Sequence, residues 1–380
     1  MAKIKQIICI SLVLFTFSVN AQNIVLGAER TETYLPLLKN KKVGVIGNQS
    51  SMIVNTHLVD SLLSLGIDVV KVFSPEHGFR GTADAGAIIE DGIDVKTGIP
   101  IISLYGNNKK PTREQLQEID ILVFDIQDVG VRFYTYISTL HYVMEAAAES
   151  NIKVIVLDRP NPNGHYVDGP ILDTAFQSFV GMHTIPVVHG MTIGEYAKII
   201  TGEKWIAEDC DLTVIKMENY THNTNYDLPI KPSPNLPNAR AVNLYPSLCL
   251  FEGTTISIGR GTDYPFQHFG APYLKSNYSF MPKSGEGSKY PKHEDIVCFG
   301  TDLRFQDNYL TTINLNWIIE AYKQCPEKEE FFNNFFDKLA GTDKLRKQII
   351  AGKTAKEIKA TWQEGLTSFK KQRRNYLIYE

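Results

Sequence analysis

Four short runs of β-branched and aliphatic residues, at 42–47, 67–73, 119–124 and 153–157, each stop abruptly in a polar turn marked by glycine, asparagine or proline. Runs of this composition and length suit buried strands. Between the first two, Leu58, Leu62, Leu63 and Leu65 form an approximate helical stripe over residues 56–65, and Gly66 is a natural stop. Residues 42–74 therefore read as one β-α-β unit. The strand–helix alternation continues through 138–149 and 193–200, where Thr192 and Glu195 make a capping-box pair. The expected class is α/β: a Rossmann-like parallel sheet domain with a smaller C-terminal α+β domain.

In open parallel sheets, ligands bind outside the carboxyl ends of the strands. The residues there are chemically loaded. The first run ends at Asn48. The second ends in Ser74-Pro75-Glu76-His77-Gly78, with Arg80 close behind; proline lacks an N–H and takes the chain out of the ladder. The third is followed by Asp125, Gln127, Asp128, Arg132, Tyr134 and Tyr136, and the fourth by Asp158, Arg159 and Asn161. Burying so many polar groups without partners is costly, so they face a cleft, satisfy each other, or bind something polar. The competing reading for the third cluster is an internal salt-bridge network, Asp128 with Arg132. Tyrosines, with an apolar body and polar tip, suit sugar faces. His189 stands just before a helix N-terminus. Asn235 lies in a proline-rich, extended segment, and Glu252 and Arg260 bracket an expected short strand.

Several classes are excluded. Gly44-Val45-Ile46-Gly47 does not make a dinucleotide fingerprint, and there is no Gly-x-Ser-x-Gly elbow, His-Glu-x-x-His motif or phosphate loop. Net charge is -3, from 39 basic and 42 acidic residues, and no basic run suggests nucleic acid. No spacing demands a metal, and no cofactor is expected. Lys3 and Lys5 precede an apolar stretch at 7–17, and Val19-Asn20-Ala21 offers small residues, so residues 1–21 read as a secretory signal peptide with a periplasmic or extracellular product. No later run is long enough to span a membrane. Cys210, Cys249, Cys298 and Cys325 form no C-x-x-C pair; export permits disulfides, and buried thiols fit equally well.

The remaining expectations are coarser. A helix starts at Thr112, and the loop-rich stretch 82–112 is a candidate substrate loop or solvated surface. The domains are expected at 22–250 and 251–380, with a cleft between them. Further helices are expected near 312–323, 328–339 and 354–370, with Phe331, Phe332, Phe335 and Phe336 as core and the basic run at 370–374 as a solvated end.

Carboxylates among tyrosines and arginines fit hydrolysis of an anionic glycoside. The same residues carry a resemblance. Ser74-Pro75-Glu76-His77-Gly78, the stretch from Asp125 to Tyr136, that from Asp158 to Gly164, His189-Gly190-Met191-Thr192, Ser233-Pro234-Asn235, and Phe251-Glu252-Gly253-Thr254 with Gly259-Arg260-Gly261-Thr262 occur in this order. Together they resemble the exo-β-N-acetylmuramidase family NamZ, formerly a domain of unknown function numbered 1343. The resemblance implies a Rossmann-like catalytic domain, a C-terminal domain and a cleft between them. It also implies release of N-acetylmuramic acid from the non-reducing end of peptidoglycan fragments, and it puts the catalytic glutamate on Glu76.

Glu76 is then the general acid. Asp125 or Asp128 is base or nucleophile, unless the substrate's acetamido group attacks. Arg80, Arg132, Arg159 or Arg260 pairs with the lactyl carboxylate of muramic acid, and His77 and Gln127 join the substrate contacts. Thr255 stands where the family pattern has asparagine, which motivates the alternative: a secreted sugar-binding protein without turnover.

Overall fold

The alternation of residues along the strands decides the architecture. Val43 and Val45, Ile121 and Val123, and Ile155 and Leu157 go to one side of the sheet, where they pack with Tyr34, Leu38, Leu58 and Leu62. Ile46, Leu122, Phe124, Val154 and Val156 go to the other, against Leu140, Val143, Met144, Ile199 and Ile200. Successive side chains of a strand point to opposite faces, so a sheet apolar at both parities must be covered on both.

The structure, a computed structural model, describes residues 23–80, 91–306 and 308–380. The segment read as a signal peptide and the loop residues 81–90 lie outside them. In chain order the first part runs α1 (Thr31–Leu38), β1 (Lys42–Gly47), a hairpin of β2 (Met52–Ile53) and β3 (Thr56–His57), α2 (Leu58–Ser64), β4 (Asp68–Ser74), β5 (Gly92–Ile93), β6 (Pro100–Ser103), β7 (Ile121–Asp125), α3 (Tyr136–Glu149), β8 (Lys153–Leu157), α4 (Ile193–Gly202) and β9 (Leu212–Ile215). Seven strands form one sheet in the order β5-β6-β4-β1-β7-β8-β9, parallel throughout except for β5. The chain moves outward from β1 through β4 to β6, then returns to β7 and leaves on the other side. β1 and β7 therefore flank the topological switch point.

The second part comprises α5 (Ala239–Leu248), a 3-10 turn (Cys249–Gly253), β10 (His268–Ala271), β11 (Tyr278–Phe280), β12 (Cys298–Asp302), α6 (Asn316–Gln324), α7 (Asn334–Ala340), α8 (Lys344–Ile350), α9 (Ala355–Ala360) and α10 (Gln363–Arg373). Its own sheet is antiparallel, in the order β10-β12-β11. One buried cluster nevertheless runs from the second face of the large sheet through Leu244 and Leu248 of α5 to Phe336, Leu345 and Leu366.

Local expectations failed for physical reasons. At 112 the helix does not form. Thr112 and Gln115 make reciprocal capping bonds, but Glu118 turns left-handed at φ 67 and Asp120 is pulled onto Lys42 of β1. The proline-rich stretch is not extended throughout. Its four prolines precede α5, which Asn238 caps at Ala241 N, 3.0 Å. No strand forms between Glu252 and Arg260; the chain makes the 3-10 turn and isolated bridges instead. The helix expected at 328–339 starts only at Asn334, that at 354–370 breaks between α9 and α10, and α8 was not foreseen. Phe335 is 37% exposed rather than core. Arg373, in the run expected to be solvated, donates to the carbonyls of His189 and Gly190. Cys210, Cys249, Cys298 and Cys325 are free thiols.

Arg132, expected among the lactyl contacts, is instead a clamp, so that expectation is corrected. It is fully buried. Its Nη1 donates to the carbonyls of Pro170 (2.9 Å) and Ile185 (2.7 Å), and its Nη2 to those of Leu339 (3.1 Å) and Ala340 (2.7 Å). The last two are carbonyls of α7's final turn that have no partner within the helix, where a cation is favoured. Burial pushes its pKa down to about 9. Arg132→Met removes the side-chain donor from four carbonyls, of which Ile185's keeps a second one, from Leu172 N. We expect it to cost roughly 3 kcal/mol or more, read as a lower urea midpoint with unchanged slope.

Candidate active site

The strand registers bring the loaded ends together. Gly47 of β1 pairs with Asp125 of β7, Ile46 with Phe73 of β4, Ser74 with Ser103 of β6, and Phe124 with Val156 of β8. The turns after β1, β4, β7 and β8 therefore leave one edge of the sheet. Above that edge lies a cavity of about 620 Å³, walled by both parts of the chain. Glu76, read as the catalytic acid, and His77, Tyr134, Tyr136, Glu252 and Arg260, read as substrate contacts, line it.

Glu76 stands one residue past Pro75. His77 and Gly78 follow with φ of 72° and 79°. For a histidine this is a strained conformation, on the order of 1 kcal/mol or more, of the kind concentrated at functional turns. Tyr105 donates its hydroxyl to Glu76 Oε1 at 3.1 Å and Thr135 approaches Oε2 at 3.4 Å. Tyr134 and Tyr136 meet edge to face with centroids 4.8 Å apart, and both hydroxyls reach the carbonyl of Pro232, at 2.8 and 3.4 Å. Asn48 does not line the cavity; its amide donates to the Tyr136 hydroxyl at 3.0 Å. Asn235 likewise acts from behind, donating to the carbonyl of Gly287 at 2.7 Å. On the far wall, Arg260 Nε and Nη2 donate to Glu252 Oε1 at 2.7 and 2.5 Å.

The other candidates do not reach the cavity, because the sheet edge satisfies them internally. Asp125 is fully buried and both its oxygens hold Arg159, at 2.5 and 2.9 Å. Arg159 also donates to the carbonyl of Met52. Gln127 donates to the carbonyls of Asp128 and Pro160. Asn161 donates to Met191 O and accepts from Asn163 N. Arg80 grips Asp94 with two bonds, at 3.2 and 2.8 Å.

Asp128 and His189 are a separate case. The Asp128 carboxylate accepts from Gly130 N at 2.6 Å and lies 3.8 Å from His189 Nε2. Asp128 Oδ1 and His189 Nε2 make no hydrogen bond. Burial pushes Asp128 up to about 7, and burial, with Arg373 and Arg132 nearby, pushes His189 down to about 3. The internal pairing considered for Asp128 and Arg132 is not made.

Some cavity residues were not foreseen. Tyr105 stands two residues past the end of β6, as Glu76 does past β4, so the strand-end rule that found Glu76 reaches it too. Thr135 sat unremarked inside a quoted motif. Tyr245 lies on the unforeseen α5, and Lys289 and Tyr290 lie in the connection between β11 and β12, where no motif marked them. Thr255, the departure from the family pattern, bonds Tyr273 at 2.6 Å and does not line the cavity. Among the described residues no group of three His, Cys, Asp or Glu is placed to hold a metal.

Two family models match the chain: exo-β-N-acetylmuramidase NamZ, N-terminal, over residues 43–240, and its C-terminal counterpart over residues 243–379. The peptidoglycan β-N-acetylmuramidase NamZ of Bacillus subtilis is 43% identical, with 91% of this chain and 89% of that protein covered. Two crystal structures of DUF1343 family proteins from Bacteroides fragilis superpose with TM-scores of 0.89 and 0.81, at 48% and 29% identity. Each covers 94% of this chain and 99% of the other.

Asp128 titrates above the ordinary aspartate value of 3.8 in the folded protein. Its burial therefore carries no penalty below about pH 4 and its full penalty above about pH 7. Asp128→Asn should match the parent at pH 4 and exceed its stability at pH 8 by on the order of 2 kcal/mol, as measured by urea unfolding at the two pH values.

Proposed function

The chain belongs to the NamZ family of exo-β-N-acetylmuramidases, and from that membership we propose a division of labour for the cavity in which Glu76 is the proton donor and Arg260 reads the lactyl group. The enzyme is a glycoside hydrolase that releases N-acetylmuramic acid from the non-reducing end of peptidoglycan fragments.

One observation carries the role of Glu76: it is a carboxylate on the cavity whose oxygens both face hydroxyls, those of Tyr105 and Thr135. A hydroxyl accepts as readily as it donates. The pair suits both the carboxylic acid before proton transfer and the carboxylate after it. In the reaction Glu76 gives its proton to the glycosidic oxygen as the bond to the anomeric carbon breaks. Glu76→Gln should lower kcat on a muramyl disaccharide by about 10²–10⁴-fold. The loss should be much smaller on an aryl muramide whose leaving group departs without a proton. Undiminished turnover of the disaccharide would sink the assignment.

The lactyl carboxylate distinguishes muramic acid from N-acetylglucosamine. Of the four arginines considered, Arg80, Arg132 and Arg159 are committed to Asp94, to backbone carbonyls and to Asp125. Arg260 lines the cavity, and Glu252 holds one edge of its guanidinium. A planar fork so fixed favours a carboxylate over a neutral group. Thr255 is away from the cavity, so the motive for a binding-only protein falls. Arg260→Lys should reduce kcat/KM on an aryl muramide by about tenfold or more. The ratio of muramide to glucosaminide turnover should fall with it; an unchanged ratio removes Arg260 from recognition.

A further inference from the structure

A proton donor alone does not hydrolyse a glycoside; a second group must take the proton of the attacking water or attack the anomeric carbon itself. Asp125 is consumed by Arg159, and neither it nor Asp128 lines the cavity. Among the described residues, the carboxylates that do are Glu76 and Glu252.

Glu252 has the marks of a placed group. Arg260 takes Oε1, while Oε2 has only the Cys249 thiol, at 4.0 Å. The side chain is 24% exposed. The turn that carries it is braced by a half-buried lysine. Lys292 Nζ donates to the carbonyls of Phe251 and Ile256, at 3.4 and 3.2 Å, and to that of Thr254. Such support behind a reacting group is what holds it in register with a substrate.

Three tyrosine rings connect the two carboxylates. Glu76 sits at Thr135, beside Tyr136. Glu252 sits at Cys249, one helical turn beyond Tyr245. Tyr136, Tyr134 and Tyr245 lie between in edge-to-face succession, with centroid steps of 4.8 and 5.8 Å. The two carboxylates thus stand at opposite ends of a three-ring floor, an arrangement that fits a base acting through a water rather than a carboxylate in direct contact with the anomeric carbon.

We propose that Glu252 is the general base, activating water across the tyrosine floor from Glu76; this rests on the reading of Glu76 as the acid. The water oxygen forms a bond to the anomeric carbon while one of its protons passes to Glu252 Oε2. The bond from that carbon to the glycosidic oxygen breaks, its electron pair leaves with the oxygen, and the oxygen takes the proton of Glu76. Muramic acid departs with inverted configuration. Glu252 then returns its proton to solvent and Glu76 regains one.

The test begins with the unaltered protein and a β-linked muramyl disaccharide, followed by proton NMR before mutarotation. The α-anomer should form first; β-muramic acid as the first product overturns the proposal and needs no variant. Glu252→Ala should lose at least about 10²-fold in kcat on both the disaccharide and an aryl muramide with a good leaving group. Azide should restore turnover of the aryl substrate as the α-glycosyl azide. Retained turnover in this variant, or a β-azide, overturns the proposal. The two readings fail separately. A wrong Glu76 assignment appears as undiminished disaccharide turnover in Glu76→Gln, whereas the anomer and the azide product report on Glu252 alone.

Discussion

A sheet covered on both faces pushes its buried charges towards its ends. That constraint organises the molecule. Val43, Val45 and Val123 face one apolar layer while Ile46, Leu122 and Phe124 face the other, so on β1, β7 and β8 the polar side chains that follow the apolar run, Asn48, Asp125 and Asp158, come at the strand's last residue or just past it. The strands of the central pair end in register, Gly47 against Asp125, and the polar groups of four turns are delivered to one edge. An ion pair placed within the sheet would need compensation that hydrocarbon cannot give.

The same crowding explains why so much of that edge is not catalytic. Asp125, Arg159, Gln127, Asn161 and Asp158 arrive at the edge without open water, and they solve the problem among themselves. Asp158 alone accepts from Thr192, Gly194 and Tyr379. Such a network fixes the turns from which Glu76 and the tyrosines project. Asn48 shows the link: its oxygen accepts from Ser50 and its amide holds the Tyr136 hydroxyl.

The legible part of the sequence was the periodic part. Runs apolar at both parities gave away the strands, and the proline after Ser74 marked where Glu76 would emerge. Which of the edge groups would face the cavity was not legible, because it depends on pairings 34 residues apart, as for Arg159 and Asp125, or 208 apart, as for Arg132 and Ala340. Tyr245 was hidden for a different reason. The prolines before it suggested an extended chain, but they stop at the helix cap, and Pro246 sits inside α5.

The second part of the chain supplies the wall that sequence periodicity could not locate, and it is not a detachable lid. One apolar cluster joins α3 and α4 to α5 and α7, and Arg132 ties the turn after β7 to the last carbonyls of α7. Tyr134 and Tyr136 are in turn anchored on the carbonyl of Pro232, in the segment that leads into α5. The separation of Glu76 from Glu252 is thus set by packing that is already in place before any sugar binds. Groups held in this way do not have to be ordered by the substrate, so binding energy from the rest of the saccharide remains for orienting the glycosidic bond and distorting the ring. A cavity assembled by closure would have to supply that ordering at each turnover; here the core has supplied it on folding.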